Sequence, residues 1–102
     1  MPGAHRENDR RSDSTQSKTI VKGQSTVYVN GRLWAVEGDE ETDGFGHLKS
    51  KSPGTIFING KKVIVEGMDD AGPDGNCGRL GFDPEHCHPH PTEGSRDVIA
   101  YN

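Results

Sequence analysis

Ser25-Thr26-Val27-Tyr28-Val29-Asn30-Gly31 is a β-branched and aromatic run that ends in Asn-Gly. That dipeptide supplies the two positive φ angles of a tight hairpin turn, so the run reads as the first arm of a β-hairpin. The same phrase returns as Gly54-Thr55-Ile56-Phe57-Ile58-Asn59-Gly60, and a degraded copy closes the chain as Ser95-Arg96-Asp97-Val98-Ile99-Ala100-Tyr101-Asn102. One hairpin is too small to bury its own apolar face, so the copies are expected to pack on one another and share a core.

A second series runs through the chain. Asp9, Asp39 and Asp69 recur at a spacing of 30 residues, in Ala4-His5-Arg6-Glu7-Asn8-Asp9, Ala35-Val36-Glu37-Gly38-Asp39 and Val65-Glu66-Gly67-Met68-Asp69. The implied unit is a short strand, a Gly/Asn-Asp turn, a polar loop, a second strand and an Asn-Gly turn. Strands are expected at Thr26–Asn30, Arg32–Glu37, Thr55–Ile58, Lys61–Glu66 and Asp97–Tyr101. No segment carries the apolar spacing of a helix for more than a turn. Alternation would turn Val27 and Val29 to one face and Tyr28 to the other, and Ile56 and Ile58 away from Phe57. One face would line the core, and the other would remain as an outward apolar surface. Residues 1 to about 18 lack apolar periodicity and read as tail or coil, Asp9 excepted. The fold class expected is all-β, a single domain over 1–102 with repeats at about 2–31, 32–60 and 61–102.

Bulk properties agree with a small, thinly cored domain. Only 28% of the 102 residues are hydrophobic, and the mean hydropathy is −0.86. So polar a chain needs a staple if it is to fold. The net charge of −4 gives no support for nucleic-acid binding. No apolar run approaches the ~20 residues of a membrane helix, and none resembles the core of a signal peptide, so export through a cleaved leader is not expected.

The staple has two candidate forms, both in the long third loop. Both cysteines, Cys77 and Cys87, and three of the five histidines, His86, His88 and His90, fall between Asp69 and Gly94, and His47 lies in the second loop. Thiolate and imidazole together select zinc or a similar ion in tetrahedral geometry. The same cysteines could instead form a plain disulfide, with the histidines solvated.

The repeated strand-Asn-Gly-strand-Gly-Asp pattern, as in Thr26 to Asp39, resembles the PAAR-repeat proteins. The first unit offers Pro2-Gly3-Ala4-His5-Arg6 with Asn8-Asp9 in the Gly-Asp place. The second keeps Gly38-Asp39, and the third has one extra residue in Gly67-Met68-Asp69. The resemblance covers about residues 2–102 and rests on the triple repetition followed by a Cys/His-rich loop. It implies a small conical domain with a metal ion near its vertex. The implied role is mechanical: a tip capping the trimeric β-helical spike of a contractile phage tail or type VI secretion apparatus, one copy per three spike chains. It would pierce the target cell envelope from the tail baseplate or the secretion apparatus. No enzymatic role is implied.

Relatives of this kind tend to place a ligand a few residues past each Gly-Asp, where this chain has Asp13 and Asp43. His47 is then the expected second-loop ligand, and the expected set for one zinc or iron ion is His47, Cys77, His86 and Cys87, with His88 or His90 as substitutes for one thiol. His5 reads as structural or exposed, Trp34 as packing or base surface, and Glu37-Gly38-Asp39-Glu40-Glu41 as a solvated loop. Two other functions fit the residues less well: a free-standing zinc-stabilised interaction module, and a small metal-dependent hydrolase, which would need an open coordination position.

Overall fold

The computed structural model describes residues 3–12, 14–42, 44–51, 56–66, 69–73, 75, 77–78 and 87–99. Among these, regular structure is entirely β, in nine short strands: β1 (Arg10–Arg11), β2 (Ser14–Ile20), β3 (Tyr28–Val29), β4 (Arg32–Leu33), β5 (Glu40–Glu41), β6 (Leu48–Lys49), β7 (Phe57–Ile58), β8 (Lys61–Lys62) and β9 (Asp70–Ala71). All pairings are antiparallel: β2 lies between β1 and β5, and β3–β4, β7–β8 and β6–β9 are two-stranded.

The Asn-Gly turns form where the sequence places them. Asn30 and Gly31 have φ of 53° and 80°, Asn59 and Gly60 of 54° and 75°. These are the left-handed angles that a two-residue hairpin demands and that Asn and Gly adopt at least cost. Each ladder is short, pairing Tyr28 with Leu33 and Val29 with Arg32, then Phe57 with Lys62 and Ile58 with Lys61. The expected longer strands Arg32–Glu37 and Lys61–Glu66 keep one further hairpin bond each, Trp34 N to Val27 O and Val63 N to Ile56 O, and then leave because their later amides turn to other parts of the chain.

Those amides build the centre of the molecule. His5 N donates to Ile64 O (3.0 Å), Ile64 N to Ala35 O (2.9 Å) and Ala35 N to His5 O (2.9 Å), a closed ring of three hydrogen bonds. A wider set surrounds it: Glu7 N to Leu33 O, Glu37 N to Lys62 O and Glu66 N to Gly3 O, at 2.9, 2.9 and 2.8 Å. A third joins Ala4 N to Val98 O, Trp34 N to Val27 O and Val63 N to Ile56 O. The backbone polar groups of three segments distant in sequence are thus satisfied by one another, as burial requires.

Side chains alternate about this ring with the period of two expected of extended chain. Ala4, Trp34, Val36, Val63 and Val65 enter one apolar cluster, with Val29 and the half-buried Ile58. Ala35 and Ile64 enter another, with Val21, Leu48 and Ala71. Trp34 is therefore a packing residue, and its Nε1–H donates to Ile64 O at 2.9 Å. Of the faces expected for the hairpins, Val29 turns inward and Tyr28 and Phe57 outward, but Val27 and Ile56 are also exposed.

Two expectations are corrected. Residues 3–12 and 14–18 are not a tail: Ala4, His5, Asp9 and Arg11 are buried, and β1 and β2 form a hairpin. Ser-Thr-Gln-Ser-Lys-Thr-Ile carries no apolar alternation, and its strand is held by backbone bonding to β1 and β5. The run Glu37–Glu41 is not wholly solvated, since Asp39 and Glu41 are buried.

Candidate functional site

The three aspartates at the 30-residue spacing each organise a turn. Asp39 Oδ2 accepts the Val36 amide at 2.9 Å, and Asp9 Oδ2 and Asp69 Oδ2 accept the amides of Arg6 and Val65 at 2.8 Å. Each side chain reaches back over its own turn, the reason a short acid suits these positions. Burial holds the Asp69 carboxyl above the ordinary carboxylate range, opposed by its bonds to the Val65 and Lys51 amides.

Outward from the ring lies an apolar belt. The carbonyls of Val27, Ile56 and Val98 accept from the ring segments, and the side chains of these residues are exposed, as are Tyr28 (61%) and Phe57 (52%). Gln24 folds the first of these segments, its Oε1 accepting the amides of Thr26 and Val27 at 2.8 Å. Ser95 does the same for the last, its Oγ accepting the amides of Asp97 and Val98 at 3.1 and 2.9 Å. Two different side chains thus produce the same turn ahead of the same apolar position.

A second group of loops is tied by a further set of backbone bonds: Ser12 N to His90 O (2.9 Å), Thr42 N to Lys18 O (3.1 Å) and Gly72 N to His47 O (2.8 Å). Cys77 and Cys87 are joined in a disulfide with Cα atoms 4.6 Å apart. The staple in this structure is therefore the disulfide that the sequence left open. The His47 imidazole is exposed, with Nε2 3.3 Å from Glu40 Oε2. His88 and His90 are exposed as well, and His86 lies outside the described residues. Among the described residues no group of three His, Cys, Asp or Glu side chains is placed to hold a metal ion. In the disulfide-linked state neither sulfur is a thiolate, so the set His47, Cys77, His86 and Cys87 does not fit a metal there.

Beneath these loops lies a buried polar network that the sequence did not reveal. Arg11 Nε donates to Thr19 Oγ1 at 2.9 Å, and Thr19 Oγ1 lies 2.7 Å from His5 Nε2. His5 Nδ1 in turn lies 2.7 Å from Glu93 O. Arg11 Nη1 also donates to Gly46 O. Arg11 Nη1 and Glu41 Oε2 stand 2.9 and 2.8 Å from where a β-carbon on Gly46 would be, and Gly46 has a φ of 69°, so two buried polar side chains converge over a position that suits glycine. Burial, foremost, lowers the His5 pKa to about 4, with the Glu93 carbonyl opposing. The only sequence signal for this network was the alternation Asp39, Glu41 within an acidic run.

No family model, curated protein or solved structure matches the chain.

Proposed function

We propose that this chain is a structural tip that caps a trimeric β-helical spike of a contractile tail or related injection system and is driven into a target cell envelope. The observation that carries the reading is the belt of exposed apolar side chains at Val27 and Tyr28, Ile56 and Phe57, and Val98, each set on a segment bonded in the same way to the central ring. Such an arrangement suits a partner of three identical chains, because one polypeptide of three equivalent units meets a three-fold axis without a symmetry mismatch. The extents of 38 × 23 × 22 Å also support it, since a body with a three-fold axis has two equal transverse dimensions. On this reading the belt is the base, and the loops carrying His47 and the Cys77–Cys87 disulfide form the point. The spike's exposed strand ends would continue onto the base by strand addition, with the belt supplying apolar contact.

Tyr28→Asp together with Phe57→Asp should weaken binding to a trimeric β-helical spike by at least tenfold, about 1.4 kcal/mol, with the melting temperature of the isolated chain unchanged. Undiminished binding by the doubly substituted chain would remove the belt from the interface.

For the reduced protein the corresponding clamp is a zinc or iron ion held by His47, Cys77, His86 and Cys87. Protein purified under reducing conditions should then carry one equivalent of metal by elemental analysis, lost on Cys87→Ser; metal-free reduced protein would leave the disulfide as the sole staple.

A further inference from the structure

Asp9 differs from its two counterparts in what meets its second oxygen. Asp39 Oδ1 accepts the amides of Lys22 and Gly23 at 2.9 and 2.8 Å, and Asp69 Oδ1 accepts the amide of Lys51 at 3.0 Å. Asp9 Oδ1 instead accepts guanidinium hydrogens, from Arg6 Nη2 at 3.1 Å and Arg32 Nη1 at 2.8 Å. The backbone that would supply amides here, around Glu93 and Gly94, is turned elsewhere. Its carbonyl at Glu93 faces His5, and the Glu93 carboxylate takes the Arg10 amide at 2.7 Å. Between this segment and Asp9 a cleft of about 1270 Å³ is left open.

The charges of the cleft run against those of the whole chain. Arg6, Arg10, Lys18, Arg32 and Arg96 line it against the carboxylates of Asp9, Glu66, Glu93 and Asp97, a surplus of one positive charge in a protein whose net charge is −4. Two of the five are held in place: Asp9 takes Arg6 through Nε and Nη2 and Arg32 through Nη1, and Arg6 Nη1 goes to Asn30 Oδ1. The exposed Arg10, Lys18 and Arg96 supply the cations for a phosphate, which takes two parallel N–H bonds from one guanidinium. The opposite requirement comes from Glu66, Glu93 and Asp97, which also line the cleft and accept hydrogen bonds without giving any when ionised. They repel a polyanion but suit hydroxyl groups, as does Thr92.

We infer that this cleft binds a phosphorylated saccharide, the phosphate lying among the arginines and the sugar hydroxyls against the carboxylates. The inference stands apart from the spike reading, since it needs neither a trimeric partner nor a tip. The ligand is a single phosphate on a hydroxyl-rich scaffold, either a free sugar phosphate or a phosphorylated residue within a polysaccharide.

The test is titration of the intact oxidised chain with glucose 6-phosphate, glucose, inorganic phosphate and a phosphomannan, followed by amide chemical shifts. Glucose 6-phosphate or phosphomannan should shift amides in the 6–10 and 92–97 segments, and the tighter of the two identifies the source. Lys18→Ala with Arg96→Ala, both at exposed positions, should weaken that binding about tenfold without altering the unliganded spectrum elsewhere. Equal affinity for inorganic phosphate would overturn the saccharide assignment. The absence of shifts in these segments, or binding that the double substitution leaves unchanged, would overturn the site.

Discussion

His5 shows how one buried residue ties three parts of the chain and makes the tie depend on pH. Arg11 donates to the Thr19 hydroxyl, which has a single proton to give, and that proton is directed at His5 Nε2. The ring then carries its own proton on Nδ1 and donates it to the Glu93 carbonyl. A second ring proton would face a hydroxyl that is already accepting from a guanidinium, at a site fully buried within the protein. Arg11 and Arg6 oppose that proton, and Asp9 favours it less than burial disfavours it. The folded pKa of about 4 lies below the 6.5 of a free histidine, so the unfolded chain binds the extra proton first as pH falls. The contribution of neutral His5 is therefore complete above about pH 6.5 and is lost between there and about pH 4, up to roughly 3 kcal/mol. Urea unfolding at pH 7 and pH 4.5 should show this loss in the native chain and a smaller one in His5→Gln. An equal loss in both would show that other groups carry the acid sensitivity. The sequence could not disclose the role, because the partners of His5 lie 14 and 88 residues away.

At the scale of the elements, the turns were legible and the strands only in part. Asn-Gly announces its own backbone angles, so both hairpins form where the sequence puts them. Their surroundings differ, which gives a comparison. Asn30 Oδ1 accepts from Arg6 Nη1 at 3.1 Å and from Ser95 Oγ at 2.6 Å, and its Nδ2 donates to Asp97 at 3.2 Å. Asn59 has a single long contact, to Gly23 O at 3.4 Å. Alanine costs about 1 kcal/mol at either site for the left-handed backbone alone, and at Asn30 it also removes three side-chain bonds. Asn30→Ala should thus lower the stability by about 1 to 2 kcal/mol more than Asn59→Ala. Equal losses in chemical denaturation would mean that the Asn30 bonds contribute nothing net. The strand Ser14–Ile20 was not legible, because its seven residues are specified by backbone pairing and not by an apolar pattern. The turn at Asp39 was legible as an interval, but the burial of Asp39 and Glu41 was masked by an acidic run that looks solvated.

For the molecule as a whole, two apolar clusters of six and five buried residues make the core among the described residues. In a chain only 28% hydrophobic, much of the specificity falls to hydrogen bonds, the buried polar groups around Arg11, and the Cys77–Cys87 disulfide. That economy follows from the plan read in the sequence, in which short units each offer one strand segment to a common centre. What the repeats could not convey is the partner of each segment: the bonds His5 to Ile64, Ile64 to Ala35 and Ala35 to His5 join residues that local pattern never connects. Nor could composition decide between a metal and a disulfide, since both use the same two cysteines. On the reading proposed here, a single chain presents three like apolar faces to three like chains, and this sets the stoichiometry of the assembly. The direct measurement is the native mass of the complex formed with a trimeric β-helical spike. The account predicts one copy of this chain per three spike chains, even with this chain in excess. Three copies per trimer, or no complex at micromolar concentrations (about 8 kcal/mol of binding free energy), would contradict it.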